Sequence, residues 1–285
     1  LPEETIDSFI DGVTYIMEEG YHTYLDVHLM MLLPNAPINE PGYKDQFGIK
    51  SVNAQPRFSH RSNPEKLVDD LVSFVTATRK CNHEDWIKGH QFRWLVIFGH
   101  YLGPLQFISR AMKKIYNVTY KDFYTDLLTF CEKNPNTYIG KEYLTIKKNL
   151  TKILKNKRHW GDVIPGVGNI NWEVDEATCI RLVKNTEIFY KEMSTYLINK
   201  YDTDEHVLRD IINYQKARLH HPFKQYPIYK YFNFNIHDVI ENNKSFKEVK
   251  NVQTFNGKNY DDLYEWAKHT LWFGRRIAKY KTKVQ

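Results

Sequence analysis

Asp26 and His28 stand two apart in the apolar run Tyr24 to Leu33. In an extended strand, residues two apart share a face. Leu25, Val27, Leu29, Met31 and Leu33 then make one wholly apolar face. Tyr24, Asp26, His28, Met30 and Leu32 make the other. On a barrel strand Asp26 and His28 would point into the lumen as substrate candidates; on a solvated face they would be satisfied by local hydrogen bonds. The three cysteines, Cys81, Cys131 and Cys179, have no CxxC or CxxxC spacing. They form neither a disulfide framework nor a self-contained zinc or iron–sulfur site. The chain has 12 histidines but no HExxH; His90 and His100 are ten apart, and His220 and His221 are adjacent. No protein metal site is expected from such spacing. Gly166-Val167-Gly168 lacks a third glycine and a preceding strand, so it reads as a loop. Glu173, Asp175 and Glu176 cluster before a helix, where acids favour the helix N-terminus; as a general acid or base none has a partner visible in the sequence.

Charge is less informative. The chain has 285 residues with a formal net charge of +6 and 26% charged residues. That excess does not by itself point to nucleic acid. Two basic runs stand out: Lys147, Lys148, Lys152, Lys155, Lys157 and Arg158, followed by Trp160, and Arg275, Arg276, Lys279, Lys281 and Lys283. Solvated helix faces explain them; the alternative is a helical binding module whose basic surface takes an anionic partner. The separated cysteines suit a reducing, cytoplasmic setting. No signal peptide is visible. The most apolar run, Trp94 to Ile108, is broken by Gly99, His100, Gly103 and Pro104, and it falls short of the roughly 20 apolar residues of a membrane span. The chain starts at Leu1 and reads as a piece of a longer protein.

These residues must be held by elements that the pattern also marks. Thr5 caps a first helix whose apolar face is Ile6, Phe9, Ile10, Val13, Ile16 and Met17, and Gly20 stops it. The Tyr24–Leu33 strand follows, then the loop Pro34-Asn35-Ala36-Pro37. Short helices are expected over 42–47 and from Asn63-Pro64-Glu65, with a strand near 72–78. From Asn82, which pairs with Asp85 as a cap, the pattern is helical: 84–116 with a break at Gly103-Pro104, 120–132 and 141–155. A long helix capped by Asp175 should run to about 200, and one capped by Asp204 to about 220. An aromatic strand or strap is expected over 226–234, and a last helix over 260–281. The expected class is α/β followed by mostly α. Residues 1–80 would be the terminal β/α units of a partial parallel barrel, and 81–285 a mostly helical domain.

The opening Leu1-Pro2-Glu3-Glu4-Thr5, its helix, and the strand ending in Leu33-Pro34-Asn35-Ala36-Pro37 resemble the radical S-adenosylmethionine enzymes. More narrowly, they resemble the branch that carries a cobalamin-binding domain. Phe47-Gly48-Ile49-Lys50, Val75-Thr76-Ala77-Thr78, Glu84-Asp85-Trp86 and Trp272-Phe273-Gly274-Arg275-Arg276 are similar to stretches of the same branch. Two departures stand out. Glu3 replaces a usual glycine, and the CxxxCxxC loop is absent.

The resemblance implies a radical enzyme, for methyl transfer to an unactivated carbon or for another radical rearrangement, that uses S-adenosylmethionine, a [4Fe–4S] cluster and, in this branch, cobalamin. Glu4 and Thr5 would lie at the cofactor-side turn. Leu33, Pro34 and Asn35 would approach the adenine through the backbone. The cluster ligands would belong to the missing N-terminal region of the same protein, so this chain alone could not perform radical chemistry.

Overall fold

A computed structural model describes residues 2–54, 59–61, 71–155 and 161–272, and the backbone of 283–284. The expected helix at 63–65, the end of the first basic run (Lys157, Arg158, Trp160) and the stretch from Phe273 through Arg275 and Arg276 lie outside the described residues.

The first helix, α1 (Ile6–Glu18), starts as its sequence dictates. The Thr5 side chain accepts from the Ser8 N–H, and Ser8 returns a bond to the Thr5 backbone, a capping box. Ile10, Val13 and Met17 are buried against the helical body. After Gly20 the chain runs extended, but only β1 (Met31–Leu32) forms a ladder. A short helix α2 (Pro41–Phe47) leads to β2 (Lys50–Ala54), and β3 (Val72–Ala77) completes a sheet of order β1-β3-β2. Phe74 of β3 lies opposite Met31 on one side and Val52 on the other.

Both pairings are antiparallel, which corrects the expected parallel β/α units. Every strand pair among the described residues is antiparallel, and no barrel is formed. A parallel pair needs a crossover from one strand end back to the other, whereas antiparallel neighbours join directly. The expected strand Tyr24–Leu33 shrinks to two residues; before them the Val27 carbonyl is taken by the Arg93 side chain rather than by a neighbouring strand. A barrel lumen for Asp26 and His28 is therefore absent from the described residues.

The body is built on α3 (His83–Val96). The Asn82 side chain accepts from the Glu84 and Asp85 N–H groups, and Asp85 reaches back to the Asn82 N–H. From Gln91 to Ile108 nearly every residue is buried apart from water, including Trp94 and Phe98. A helix buried on all sides belongs at the centre, and its polar members Gln91, Arg93, His100 and Gln106 are buried with it. The Gly103-Pro104 break expected from sequence separates α3 from α4 (Gln106–Tyr116), and a π-helical turn at Ile97–Tyr101, not expected, precedes it. Gly99 permits the close approach: a Cβ there would stand 2.9 Å from Leu105 Cδ1. The N–H and carbonyl groups opened by the break are covered from a distance. Gln215 Oε1 accepts from the Phe107 N–H at 2.9 Å, its amide donates to the Gly103 carbonyl at 2.9 Å, and Tyr190 OH donates to the Pro104 carbonyl at 2.9 Å.

Around this axis pack α5 (Tyr120–Lys133), α6 (Tyr138–Leu154), α7 (Val174–Leu182), α8 (Thr186–Tyr201) and α9 (Glu205–Arg218). The single long helix expected after Asp175 is two helices, with a turn at 183–185; Glu173 is the cap, and Asp175 is fully buried. A second antiparallel sheet follows, with β4 (Ile228–Phe234), α10 (Ile236–Asn242), β5 (Glu248–Asn256) and β6 (Lys283–Val284) in order β4-β5-β6. The short α11 (Leu263–Ala267) passes into a π-helical turn ending at Trp272. One apolar cluster runs from Ile10 in α1 to Leu271. No helix among the described residues is long and apolar enough to cross a membrane.

Candidate functional site

The turn before α1, the extended segment 21–30, the end of β3 and the start of α3 surround a cleft of about 260 Å³. Glu4, Thr5 and His28, chosen from sequence, line it together. Val27, Met30, Val75 and Ala77 supply apolar wall, Phe9 and Trp86 aromatic wall, and Asp85 and Glu4 carboxylates. Cys81 and His90 complete it, and neither was singled out from sequence as a site residue. Asp85, already marked as part of a capping pair, is a signal that could have found this end of α3.

Asp26 stands behind the lining. It accepts from Tyr24 OH at 2.6 Å and faces His28 Nε2 at 3.3 Å. The local hydrogen bond, one of the two readings of its position, is the one the structure shows. His28 itself is 75% exposed at its side chain, so it stands at the mouth. Leu33 is exposed, and its carbonyl accepts from the Ala36 N–H in a tight turn that includes Pro34 and Asn35. These three residues are not among those lining the cleft.

Burial decides the protonation of two lining groups. His90 is driven down to about 3, first by loss of solvent and then by the nearby Arg93 cation. It is neutral at physiological pH and packs edge-on against Trp86, with ring centres 4.5 Å apart. Cys81 has its thiol pKa raised, chiefly by burial and then by Asp85. It is set by Thr78, whose hydroxyl accepts from the Cys81 N–H at 3.2 Å. A protonated thiol is a weak nucleophile. The cleft therefore offers recognition more than reactivity: two carboxylates beside aromatic faces suit an organic cation, and apolar walls suit the body of a small molecule.

The acidic triplet that lacked a partner in sequence finds one across the fold. Arg93 Nη1 meets Asp175 at 3.0 Å, and its Nη2 lies 3.7 Å from Glu173. His60 Nε2 meets Glu176 at 2.7 Å, and Ser59 donates to Glu173 at 2.9 Å. These partners lie 82 and 116 residues away in sequence for Asp175 and Glu176, beyond any local pattern. No group of three or more His, Cys, Asp and Glu side chains among the described residues is placed to hold a metal ion. Cys131 in α5 and Cys179 in α7 are buried on separate helices, so with Cys81 they do not fit an iron–sulfur cluster. In the first basic run, Lys147 is paired with Glu132 at 3.4 Å.

No family model matches the chain. In sequence it is similar to methyltransferases, among them one of the cobalamin-dependent radical S-adenosylmethionine class that the N-terminal motifs resemble. It is 26% identical over 211 residues to the cobalamin-dependent radical SAM methyltransferase TokK of Streptomyces tokunonensis, a match that takes in 69% of this chain and 30% of that protein. It is 23% identical over 230 residues to the 2-(S-pantetheinyl)-carbapenam-3-carboxylate methyltransferase of Streptantibioticus cattleyicolor, over 76% of this chain and 34% of that protein. The chain spans about a third of the length of the curated relatives it matches.

Proposed function

We propose that this chain is part of a cobalamin-dependent radical S-adenosylmethionine methyltransferase, and that its cleft holds part of S-adenosylmethionine. One observation carries the reading: Glu4 and Thr5, in the motif that resembles the family, line the cleft together with His28. The cofactor fits the donor set. Its sulfonium and ammonium are cationic, and Glu4 and Asp85 stand beside Phe9 and Trp86. Its apolar surface would face Val27, Met30, Val75 and Ala77. Neutral His90 can give or take one hydrogen bond without placing a second positive charge near the sulfonium. Leu33, Pro34 and Asn35 keep their proposed role at the adenine through backbone groups, and the substrate candidates remain His28, at the mouth, and Asp26, which faces it.

S-adenosylmethionine supplies the transferable methyl group and the radical precursor. The residues of this chain bind it, orient it and shield it from water. The [4Fe–4S] cluster and cobalamin would be held by the rest of the protein, since the three cysteines here do not fit a cluster; no step is derived through either. Residues 1–80 would bring the cleft-lining turn and small sheet, and 81–285 the helical body that backs it.

The test is transfer of an isotopically labelled methyl group by the full-length protein, reconstituted with iron, sulfide and cobalamin under a reductant. The first compound to try is a pantetheinyl carbapenam, the substrate named for one relative. Label in the product supports the reading. Failure to cleave S-adenosylmethionine with any substrate would sink it.

A further inference from the structure

Residues 21–30 bring Val27, His28 and Met30 to the cleft yet form no helix and no ladder. Carbonyls of such a segment need donors from elsewhere. Tyr101 OH donates to the Tyr21 carbonyl at 3.2 Å, and the Gln106 amide donates to the His22 carbonyl at 2.7 Å. Arg93 Nε donates to the Val27 carbonyl at 2.6 Å. Of these side-chain donors, Arg93 acts where the segment lines the cleft; at the segment's end the Val75 backbone N–H donates to the Met30 carbonyl at 2.9 Å.

Arg93 is only 3% exposed, and Asp175 is fully buried beside it. A buried ion pair is often no better for stability than apolar packing of the same volume. Its geometry is more telling. A planar guanidinium can hold Asp175 through Nη1 while aiming Nε at a carbonyl, which a lysine ammonium on its flexible stem cannot do at once. The pair also spans the fold, joining α3, the start of α7 and the cleft-lining segment.

We propose that Arg93 is a positioning residue: fixed by Asp175, it holds the Val27 carbonyl and thereby sets the wall that Val27 and His28 present to the bound cofactor. The cofactor part rests on the function proposed above; the anchoring of the segment does not.

The experiment compares wild type with Arg93→Lys in the full-length protein, by hydrogen exchange and by titration with S-adenosylmethionine. The anchor predicts exchange faster by about tenfold or more over residues 24–30, with α3 and α7 still protected. It also predicts affinity for S-adenosylmethionine lower by about tenfold. Asp175→Asn, which keeps a hydrogen-bonding partner for the guanidinium, should show the same local loosening to a smaller degree, and it serves if Arg93→Lys does not fold. Unchanged exchange over 24–30, or an equal rise through α3 and α7, would overturn the proposal, as would local loosening with undiminished affinity. If wild type itself binds no S-adenosylmethionine, the cofactor reading falls, and the exchange comparison decides the anchor alone.

Discussion

His90 couples the cleft to acid stability. Part-buried, and beside the Arg93 cation, it is held at about 3, against roughly 6.5 in the unfolded chain. Below about pH 6.5 the unfolded state therefore binds the extra proton. The stabilisation is complete above that pH and is lost as pH falls toward 3, at about 1.4 kcal/mol per unit. His221, held at about 4 by burial and then by Lys224, adds a second loss of the same sign that ends nearer pH 4. Denaturant titrations at pH 7 and pH 5 should show the acid penalty smaller by about 2 kcal/mol in His90→Gln than in wild type. Equal penalties would mean that His90 is not held neutral in the fold. The sequence shows a histidine at this position but not its burial, because burial comes from Trp86 and the α3 packing. The same holds for Arg93, whose role depends on Asp175 far along the chain.

Elements were legible where their signals are local. The Thr5 and Asn82 caps, the Gly103-Pro104 break and the Asp204 cap all fall where residue types place them. Asn82→Ala should cost about 1 kcal/mol in thermal or denaturant unfolding, the usual worth of such a cap. No loss would show that the α3 start is held by packing alone. Elements were misread where tertiary contacts overrule the pattern. The alternation over Tyr24–Leu33 is strand-like, but the Arg93 side chain from the body takes the Val27 carbonyl. Asp175 is a good cap type, yet it is drawn inward by Arg93 and leaves the cap to Glu173. β5 and α10 went unforeseen. The end of β4, just before α10, is held by buried Asp210, whose carboxylate accepts from the Asn233 and Phe234 N–H groups at 2.6 and 3.2 Å. Asp210→Ala leaves those donors without that acceptor. It should cost about 2–3 kcal/mol and speed amide exchange in β4 first; uniform exchange across α9 and β4 would contradict this.

At the scale of the molecule, sequence similarity and strand topology point to different amounts of knowledge. The similarity extends over 69% and 76% of the chain, far beyond the N-terminal motifs, and it supports the proposed class. The topology does not repeat the expected barrel, because the strands within the described residues pair antiparallel. Glu4 and Thr5, marked in the sequence for a cofactor-side turn, and His28, marked for substrate, line one cleft, for the turn before α1 and the segment after it both approach α3. The most direct measurement is calorimetric titration of S-adenosylmethionine into the full-length protein and its Glu4→Lys variant, with Lys147→Glu as a distant control. Binding in wild type and control, weakened by about tenfold or more in Glu4→Lys, is the predicted result. No binding in wild type, or equal binding in all three proteins, would contradict the assignment of this cleft.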